Sequence, residues 1–186
     1  MNVPFRRTLL SAALLATSGV ALAAAHSATV GGAEMPASAN IVENASRSAD
    51  HTTLVAALEA AGLVETLQGE GPFTVLAPTD EAFAALPDGT VETLLMPENQ
   101  QALTDILTCH VIAAEVMASD VIAMIEDDGG AHEIGTLGPC TLTATYEDGK
   151  VLFTDENGTS ASVTIGDVAQ SNGVIHVIDA VLLPKQ

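Results

Sequence analysis

Two polar side chains interrupt an apolar run near the end of the sequence, and they are the first candidates for chemistry. In the stretch SNGVIHVIDAVLLP, residues 171–184, His176 and Asp179 stand among valine, isoleucine and leucine. An imidazole close to a carboxylate can transfer protons or help to hold a metal ion. Asp179 lies near the end of the run, where its carboxylate could instead bond a loop or face the solvent. The stretch therefore poses a choice between a chemical and a structural role for His176.

The alternation of side chains along a strand favours the structural role. A strand here would put two sets of residues on opposite faces, Val174, His176 and Ile178 against Ile175 and Val177. Because both faces are apolar, we expect this strand to be buried on both sides. A histidine in that setting is usually neutral and hydrogen-bonded within the core, and Thr79 or Asn172 could be its partner.

The rest of the sequence shows no metal-binding or catalytic motif. His26, His51 and His132 are scattered and do not have the spacing of metal ligands. The stretch TDENGTS, residues 154–160, resembles a calcium loop faintly, but its Gly158 comes two positions too early for that pattern. The sequence also lacks a G-x-S-x-G motif, a P-loop and a dinucleotide fingerprint. We therefore expect no enzyme activity, no cofactor and no bound metal ion.

His110 stands at a point where a predicted helix ends and a predicted strand begins. A junction of this kind can reach the surface of a domain. A packed, hydrogen-bonded side chain is the favoured interpretation here as well. Among the histidines, His110 is nevertheless the first candidate for contact with a partner.

Cys109 and Cys140 are the two cysteines of the sequence. An exported protein meets oxidising conditions, so an even pair suggests a disulfide. The bond would close a loop of about 30 residues and contribute roughly 3–4 kcal/mol in the chain-entropy model. Two buried free thiols are the alternative.

The first 23 residues have the composition of a secretory signal peptide. Arg6 and Arg7 form a short basic start, an apolar run rich in alanine and serine follows, and Ala21-Leu22-Ala23 is an A-x-A cleavage signature. This run is too short to span a bilayer. We expect removal of residues 1–23 and secretion to the periplasm, the cell surface or the extracellular medium. Residues 24–39 are small and include glycine and proline, which predicts a flexible lead-in.

Removal of the signal peptide leaves a strongly acidic chain. The full sequence has five basic and 24 acidic side chains, and two arginines leave with the signal peptide, so the mature net charge is −21. Such a charge repels nucleic acid and anionic membrane surfaces. A solubilising or salt-adapted surface is the favoured explanation, and binding to a cationic or divalent-bridged partner is the alternative.

Helical patterns fill the first half of the remaining chain, and strand patterns fill the second half. In the first half, GPFTVLAP predicts a short buried strand, and Thr79 then caps a helix with acidic residues in its first turn. In the second half, CTLTATY and KVLFT alternate in polarity and are joined by a hairpin turn at Glu147-Asp148-Gly149. The turn Asn172-Gly173 opens the last strand. These patterns predict an α+β fold in one domain, residues 40–184.

Two long stretches resemble the signatures of fasciclin-like domains, also called beta-Ig-H3/fasciclin domains. GPFTVLAPTDEAFAALP, residues 71–87, is similar to the first signature, and SNGVIHVIDAVLLP is similar to the second. The resemblance covers residues 40–184. It implies a globular wedge of mixed or antiparallel β-structure with helices mostly in the N-terminal half. Thr79, Asn172 and His176 then belong to the structural signature.

The resemblance also implies positions for contact with a partner. Cys109-His110 stands where the family has a Tyr-His pair, and Asp167-Val168 stands where it has an acidic-aliphatic dipeptide. In animal members these positions are linked to receptor binding. The resemblance therefore implies His110, Asp167 and Val168 as interaction residues.

Taken together, the residues and the resemblance predict a secreted, non-catalytic adhesion module. Its expected partner is a cell-surface or extracellular-matrix protein or polysaccharide, and neither nucleic acid nor a membrane span is expected. The alternative is an envelope enzyme, or a protein that binds a small ligand or a polysaccharide. The oligomeric state is left open.

Overall fold

A computed structural model describes residues 28–87 and 89–185 of the chain. The signal peptide predicted for residues 1–23 lies outside the described residues and stays a prediction. Helices dominate the first half and strands the second: α1 Ile41–Ala45, α2 Thr52–Ala61, α3 Val64–Gln68, α4 Asp80–Ala84, α5 Thr90–Leu94, α6 Gln100–Cys109 and α7 Ala118–Asp127. The strands are β1 Ala28–Val30, β2 Ala33–Met35, β3 Phe73–Pro78, β4 Val111–Ile112, β5 Ala131–Gly135, β6 Thr141–Glu147, β7 Lys150–Thr154, β8 Ser160–Gln170 and β9 Gly173–Ile178.

The seven strands β3 to β9 form one mixed sheet in the order β4-β3-β9-β8-β7-β6-β5. The pair β3–β9 is parallel, and the other neighbouring pairs are antiparallel. Strands β1 and β2 form a separate hairpin. The predicted α+β class is confirmed.

The two signature stretches lie side by side, because β3 belongs to the first and β9 to the second. Their register runs from Phe73 opposite Gly173 to Pro78 opposite Ile178. Gly173 has a φ of +153°, and a Cβ there would collide with the backbone of Phe73. A glycine is therefore required where β9 enters the sheet.

Two apolar cores cover the two faces of this parallel pair. Ile175 and Val177 pack into the core beneath the N-terminal helices. Leu76 and Ile178 pack into a second core, formed with α7 and strands β5 to β8. All six residues of β9 are buried, in agreement with the predicted burial on both faces.

Two helices receive their N-terminal caps from aspartates that are distant in sequence. The N-cap residue of α2, His51, makes no side-chain cap bond. The Asp80 carboxylate instead accepts hydrogen bonds from the Thr53 N–H at 2.8 Å and the Thr52 hydroxyl at 2.6 Å. Burial raises the pKa of Asp80, but the hydrogen bonds from Thr52 and Thr53 outweigh this effect and hold the pKa below its usual value. The second case, at α7, shapes the candidate site described below.

The predicted flexible lead-in over residues 24–39 is wrong from residue 28 onwards. Strands β1 and β2 pair there, and Val30 and Met35 are each only 1% exposed in the helical core. Burial of two large apolar side chains offsets the entropy of ordering this short hairpin.

Cys109 and Cys140 form the predicted disulfide, with their Cα atoms 5.2 Å apart. This distance lies within the range that a disulfide requires. The bond joins the end of α6 to the residue before β6. It therefore links the helical half of the domain to the strand-rich half.

Candidate interaction site

A groove of about 340 Å³ lies between α7, the β6–β7 hairpin and the middle of β8. Its main walls are Ile122 of α7, Tyr146 and Lys150 of the hairpin, and Val163, Thr164 and Asp167 of β8. We call this surface the Asp167 groove. It is the part of the surface where a residue predicted for partner contact is exposed.

The β8 wall of the groove is shaped by irregular pairing between β8 and β9. The register shifts on both sides of Ile165, so residues 164–167 bulge from the sheet and are exposed. Asp167 has a φ of +56°, in the left-handed region that aspartate tolerates better than most residues. A bulge of this kind redirects side chains and ends regular pairing.

The Asp167 carboxylate connects this bulge to α7. The N-cap residue of α7, Met117, makes no side-chain cap bond. Asp167 Oδ1 accepts the backbone N–H of Ala118, the first residue of the helix, at 2.7 Å. A carboxylate at a helix N-terminus bonds a free N–H and is favoured by the helix dipole. Asp167 therefore fixes two walls of the groove relative to each other.

His176 lies directly beneath the bulge and is 2% exposed. Its Nδ1 accepts the backbone N–H of Asp167 at 3.2 Å, and its Nε2 donates to the carbonyl of Val116 at 2.9 Å. These two bonds define the neutral tautomer with hydrogen on Nε2. Burial lowers the pKa of His176, although the Val116 bond and the Asp167 charge act in the opposite direction. The predicted partners are Thr79 and Asn172, whereas the bonds go to Asp167 on the adjacent strand β8 and to Val116 just before α7.

His110 and Val168 do not lie in the groove. His110 is 2% exposed, donates from Nδ1 to the Ile106 carbonyl at 2.8 Å, and accepts the Leu182 N–H at Nε2 at 3.0 Å. Burial lowers its pKa to about 4. Val168 is also buried, in the helical core. The expectation that His110 and Val168 contact a partner is therefore wrong, because neither side chain reaches the surface.

The other two signature residues have structural roles. The Thr79 hydroxyl accepts the Ala82 N–H at 3.3 Å and caps α4. The Asn172 amide donates to the carbonyls of Leu67 and Gly69, and its oxygen accepts the N–H of Ile41. Asn172 thereby ties α1 and the end of α3 to the turn before β9.

The Asp167 groove offers three kinds of contact. Tyr146 is 46% exposed and presents an aromatic surface. Lys150 is exposed and forms no salt bridge with a carboxylate in the described part of the chain, although Glu147 is its partner across the hairpin. Asp167 uses Oδ1 for the helix cap, which leaves Oδ2 for a donor from a partner. An aromatic surface, a cation and a carboxylate oxygen therefore converge on one concave surface.

The sequence pattern does not single out Tyr146 and Lys150. Tyr146 is the sole tyrosine of the chain, and Lys150 is one of three basic residues left after signal removal. Two signals could have identified them: both residue types are rare in the chain, and both residues flank the hairpin turn that the sequence predicts. Their position beside Asp167 depends on the sheet order, which is not apparent from the local pattern.

A hydroxyl–imidazole pair elsewhere in the fold does not form a catalytic arrangement. Ser48 Oγ lies 2.8 Å from His51 Nδ1, but both residues are buried. Burial lowers the pKa of His51, against smaller opposing effects from Ala77, Asp50 and Asp80. A substrate could not reach this serine without displacement of the neighbouring chain. Across residues 28–87 and 89–185, no group of three or more potential metal ligands is found.

A larger, polar cavity of about 530 Å³ adjoins Asn172 and the loop at residues 68–72. Glu70 and Glu115 lie in its walls. The Asn172 side chain holds neighbouring segments through three hydrogen bonds. Within the described residues, no helix is long and apolar enough to cross a membrane.

Comparison with known proteins places the chain in a family. The model of the fasciclin domain matches residues 49–184. The chain belongs to the fasciclin domain family. The predicted resemblance is thus confirmed, and the Asp167 groove is a feature of a fasciclin domain.

Relatives and a solved structure support the family and the fold. Protein sll1483 of Synechocystis sp. is 48% identical over 158 residues, which are 85% of this chain and 81% of that protein. Transforming growth factor-beta-induced protein ig-h3 of Sus scrofa is 33% identical over 135 residues, 71% of this chain but 17% of the relative. A FAS1 domain pair from the insect cell adhesion molecule fasciclin I has a TM-score of 0.69 at 19% identity. That match covers 78% of this chain, which spans about half of the solved chain (51%), and it supports the fold alone.

Proposed function

We propose that this fasciclin domain is a secreted, non-catalytic module that binds a component of the cell surface or the extracellular matrix through the Asp167 groove. The observation that carries the proposal is the convergence of Tyr146, Lys150 and Asp167 on one concave surface. Fasciclin domains are generally adhesion modules, and the structural neighbour comes from a cell adhesion molecule. Secretion rests on the signal peptide predicted for residues 1–23.

The groove is well suited to binding because its walls are fixed before a partner arrives. Asp167 is held by Ala118 and His176, and Thr164 donates from its hydroxyl to the Val177 carbonyl at 3.2 Å. A partner therefore loses little free energy in ordering this surface.

The groove chemistry favours a partner that presents an anionic group beside an apolar or planar face. Lys150 can pair with the anionic group, and Tyr146 can stack on the planar face. The surrounding chain carries a large negative charge, so a densely anionic polymer would be repelled at long range. A protein segment or polysaccharide with isolated carboxylates fits better than a polyanion.

A binding screen of the mature protein tests this proposal. Purified residues 24–186 would be tested against matrix proteins, glycans and envelope fractions of the source cells. We expect saturable binding that weakens by about tenfold in Tyr146→Ala and in Lys150→Ala. Met96→Ala and Lys185→Ala are the matched controls, since both residues are exposed and lie outside the groove. Equal binding by all four variants would contradict the assignment of the groove.

The larger polar cavity beside Asn172 favours a second candidate, a small-ligand protein or envelope enzyme. Its volume of about 530 Å³ would hold a small polar molecule. A ligand bound at this site should be lost in Glu70→Gln and Glu115→Gln and retained in Tyr146→Ala. Turnover of an added substrate, abolished by the same two substitutions, would support the enzyme.

A further inference from the structure

His176 lies at a junction of three chain segments that build the Asp167 groove. It belongs to β9, it accepts the Asp167 N–H of the β8 bulge, and it donates to the Val116 carbonyl just before α7. Asp167 completes the junction by bonding the first N–H of α7. The bond from the Asp167 N–H requires His176 to keep Nδ1 free of a proton, whereas the Nε2 bond to Val116 is compatible with either protonation state.

The space around the ring leaves no room for a solvated imidazolium. Gly166 packs against it so closely that a Cβ at this position would lie 3.4 Å from Nδ1. A gap beside the ring is lined by apolar side chains that include Val121, Phe153 and Val163, and it is too small to hold a water molecule. A proton on Nδ1 would therefore meet the Asp167 N–H donor directly, with no water to separate them.

We propose that His176 is a pH-responsive positioning residue, whose protonation releases the 164–167 bulge and dismantles the Asp167 groove. This inference rests on the proposed function of the groove. On protonation Nδ1 becomes a donor, and the hydrogen bond from the Asp167 N–H is lost. The Asp167 carboxylate lies close enough to influence the ring and can turn towards the new N–H. That movement would take the carboxylate away from Ala118 and leave the first N–H of α7 unbonded, while Asp120 still accepts the N–H of Met117.

The charged groups on the surrounding elements leave Asp167 as the main electrostatic partner of His176. Asp167 is the carboxylate that acts on the ring. Glu115 before α7, Asp120 on α7 and Lys150 on β7 are all exposed. The remaining lining of the ring, from β7, β8 and α7, is apolar. Protonation of His176 therefore changes one local set of hydrogen bonds, which joins His176, Asp167 and Ala118.

An NMR titration of the mature protein from pH 7.5 to 4.5 tests the inference without any partner. We expect the amide signals of Asp167 and Ala118 to shift with the same midpoint as the His176 ring, while amides of the helical core stay unchanged. In His176→Gln, whose amide can donate and accept but does not titrate, the two amides should lose this pH response. His110→Gln is the matched control and should retain it, because His110 contacts Ile106 and Leu182 instead.

Two results would overturn the inference. One is a His176 ring that titrates while the Asp167 and Ala118 amides stay unchanged. The other is a ring that takes up a proton only together with global unfolding, seen as simultaneous loss of all amide signals. If His176→Gln does not fold, hydrogen exchange at Ala118 in the unmodified protein gives the same answer, since protection should fall with ring protonation.

A binding measurement at two pH values distinguishes this inference from the proposed function. Binding to the envelope fraction is expected to weaken by about tenfold between pH 7.5 and the acidic side of the His176 midpoint. If the Asp167 and Ala118 amide signals shift with the His176 ring but no partner binds at either pH, the positioning role of His176 stands and the proposed function fails. If binding occurs through the groove without an amide transition, the function stands and the inference fails.

Discussion

His110 and His176 are buried as opposite neutral tautomers. His110 carries its hydrogen on Nδ1 and accepts the Leu182 N–H at Nε2, whereas His176 carries its hydrogen on Nε2 and accepts the Asp167 N–H at Nδ1. Each ring ties one chain segment to a neighbouring element. In both cases that segment lies outside the regular strand pairing. His110 holds the C-terminal stretch against α6, and His176 holds the β8 bulge.

Acid should destabilise the domain through these histidines. A histidine whose pKa is lowered in the folded state binds more protons when unfolded, so stability falls as pH decreases through the unfolded value near 6.5. The loss ends at the folded pKa, which is about 4 for His110. Protonation of this residue alone should lower the free energy of unfolding by about 3 kcal/mol across that pH interval. Chemical denaturation at pH values from 7.5 to about 4 measures this decline, which should be smaller in His110→Gln. An equal decline in the variant would contradict this explanation.

The disulfide should contribute to stability by restricting the unfolded chain. Cys109 and Cys140 are separated by 31 positions, so their double substitution by alanine should lower the free energy of unfolding by about 3–4 kcal/mol. Intact-mass analysis with and without reductant establishes the bond, and urea denaturation measures its effect. Two alkylatable thiols in the untreated protein would contradict it.

Gly173→Ala should be strongly destabilising, because the added Cβ would meet the Phe73 backbone at a φ that L-residues rarely adopt. We expect a loss of about 3 kcal/mol or more. Gly135→Ala is the control, since a Cβ there has open space around it and the residue has an ordinary φ. Similar melting temperatures for the two variants would show that the close β3–β9 approach is not required.

Asp167→Ala should weaken both the α7 cap and binding. Loss of a side-chain cap costs about 1 kcal/mol of the free energy of unfolding. The variant Asp167→Asn is the control, because asparagine keeps an oxygen acceptor and tolerates the left-handed backbone. Hydrogen exchange at Ala118 should rise in the alanine variant and stay near the normal rate in the asparagine variant. Equal hydrogen-exchange protection of Ala118 in the alanine and asparagine variants would mean that Asp167 does not stabilise the start of α7.

The sequence predicts those parts of the domain that depend on neighbouring residues. The β3 strand, the Thr79 cap, the β6–β7 hairpin and the buried β9 strand all follow from local pattern and turn chemistry. The caps that Asp80 and Asp167 provide could not be predicted in this way. Each aspartate bonds a helix far away in sequence, 28 residues away for Asp80 and 49 for Asp167. The N-cap residue of α2, His51, makes no side-chain cap bond, and the long-range carboxylate of Asp80 provides the cap instead.

The candidate site was only partly predictable for the same reason. The family resemblance implies Asp167 as an interaction residue, but it also implies His110 and Val168, whose side chains are buried. A helix–strand junction can be covered, and Leu182 covers His110 from the end of the chain. Tyr146 and Lys150 come to Asp167 only through the order of β6, β7 and β8 in the sheet.

The most direct test of the account maps the binding surface on the protein itself. Backbone amide signals would be recorded while the mature domain is titrated with the purified component that binds it best in the screen. We predict that the largest shifts occur at Tyr146, Lys150 and Asp167, with smaller changes along the start of α7. Shifts concentrated around Asn172 and Glu70, with the Asp167 groove unchanged, would contradict the account.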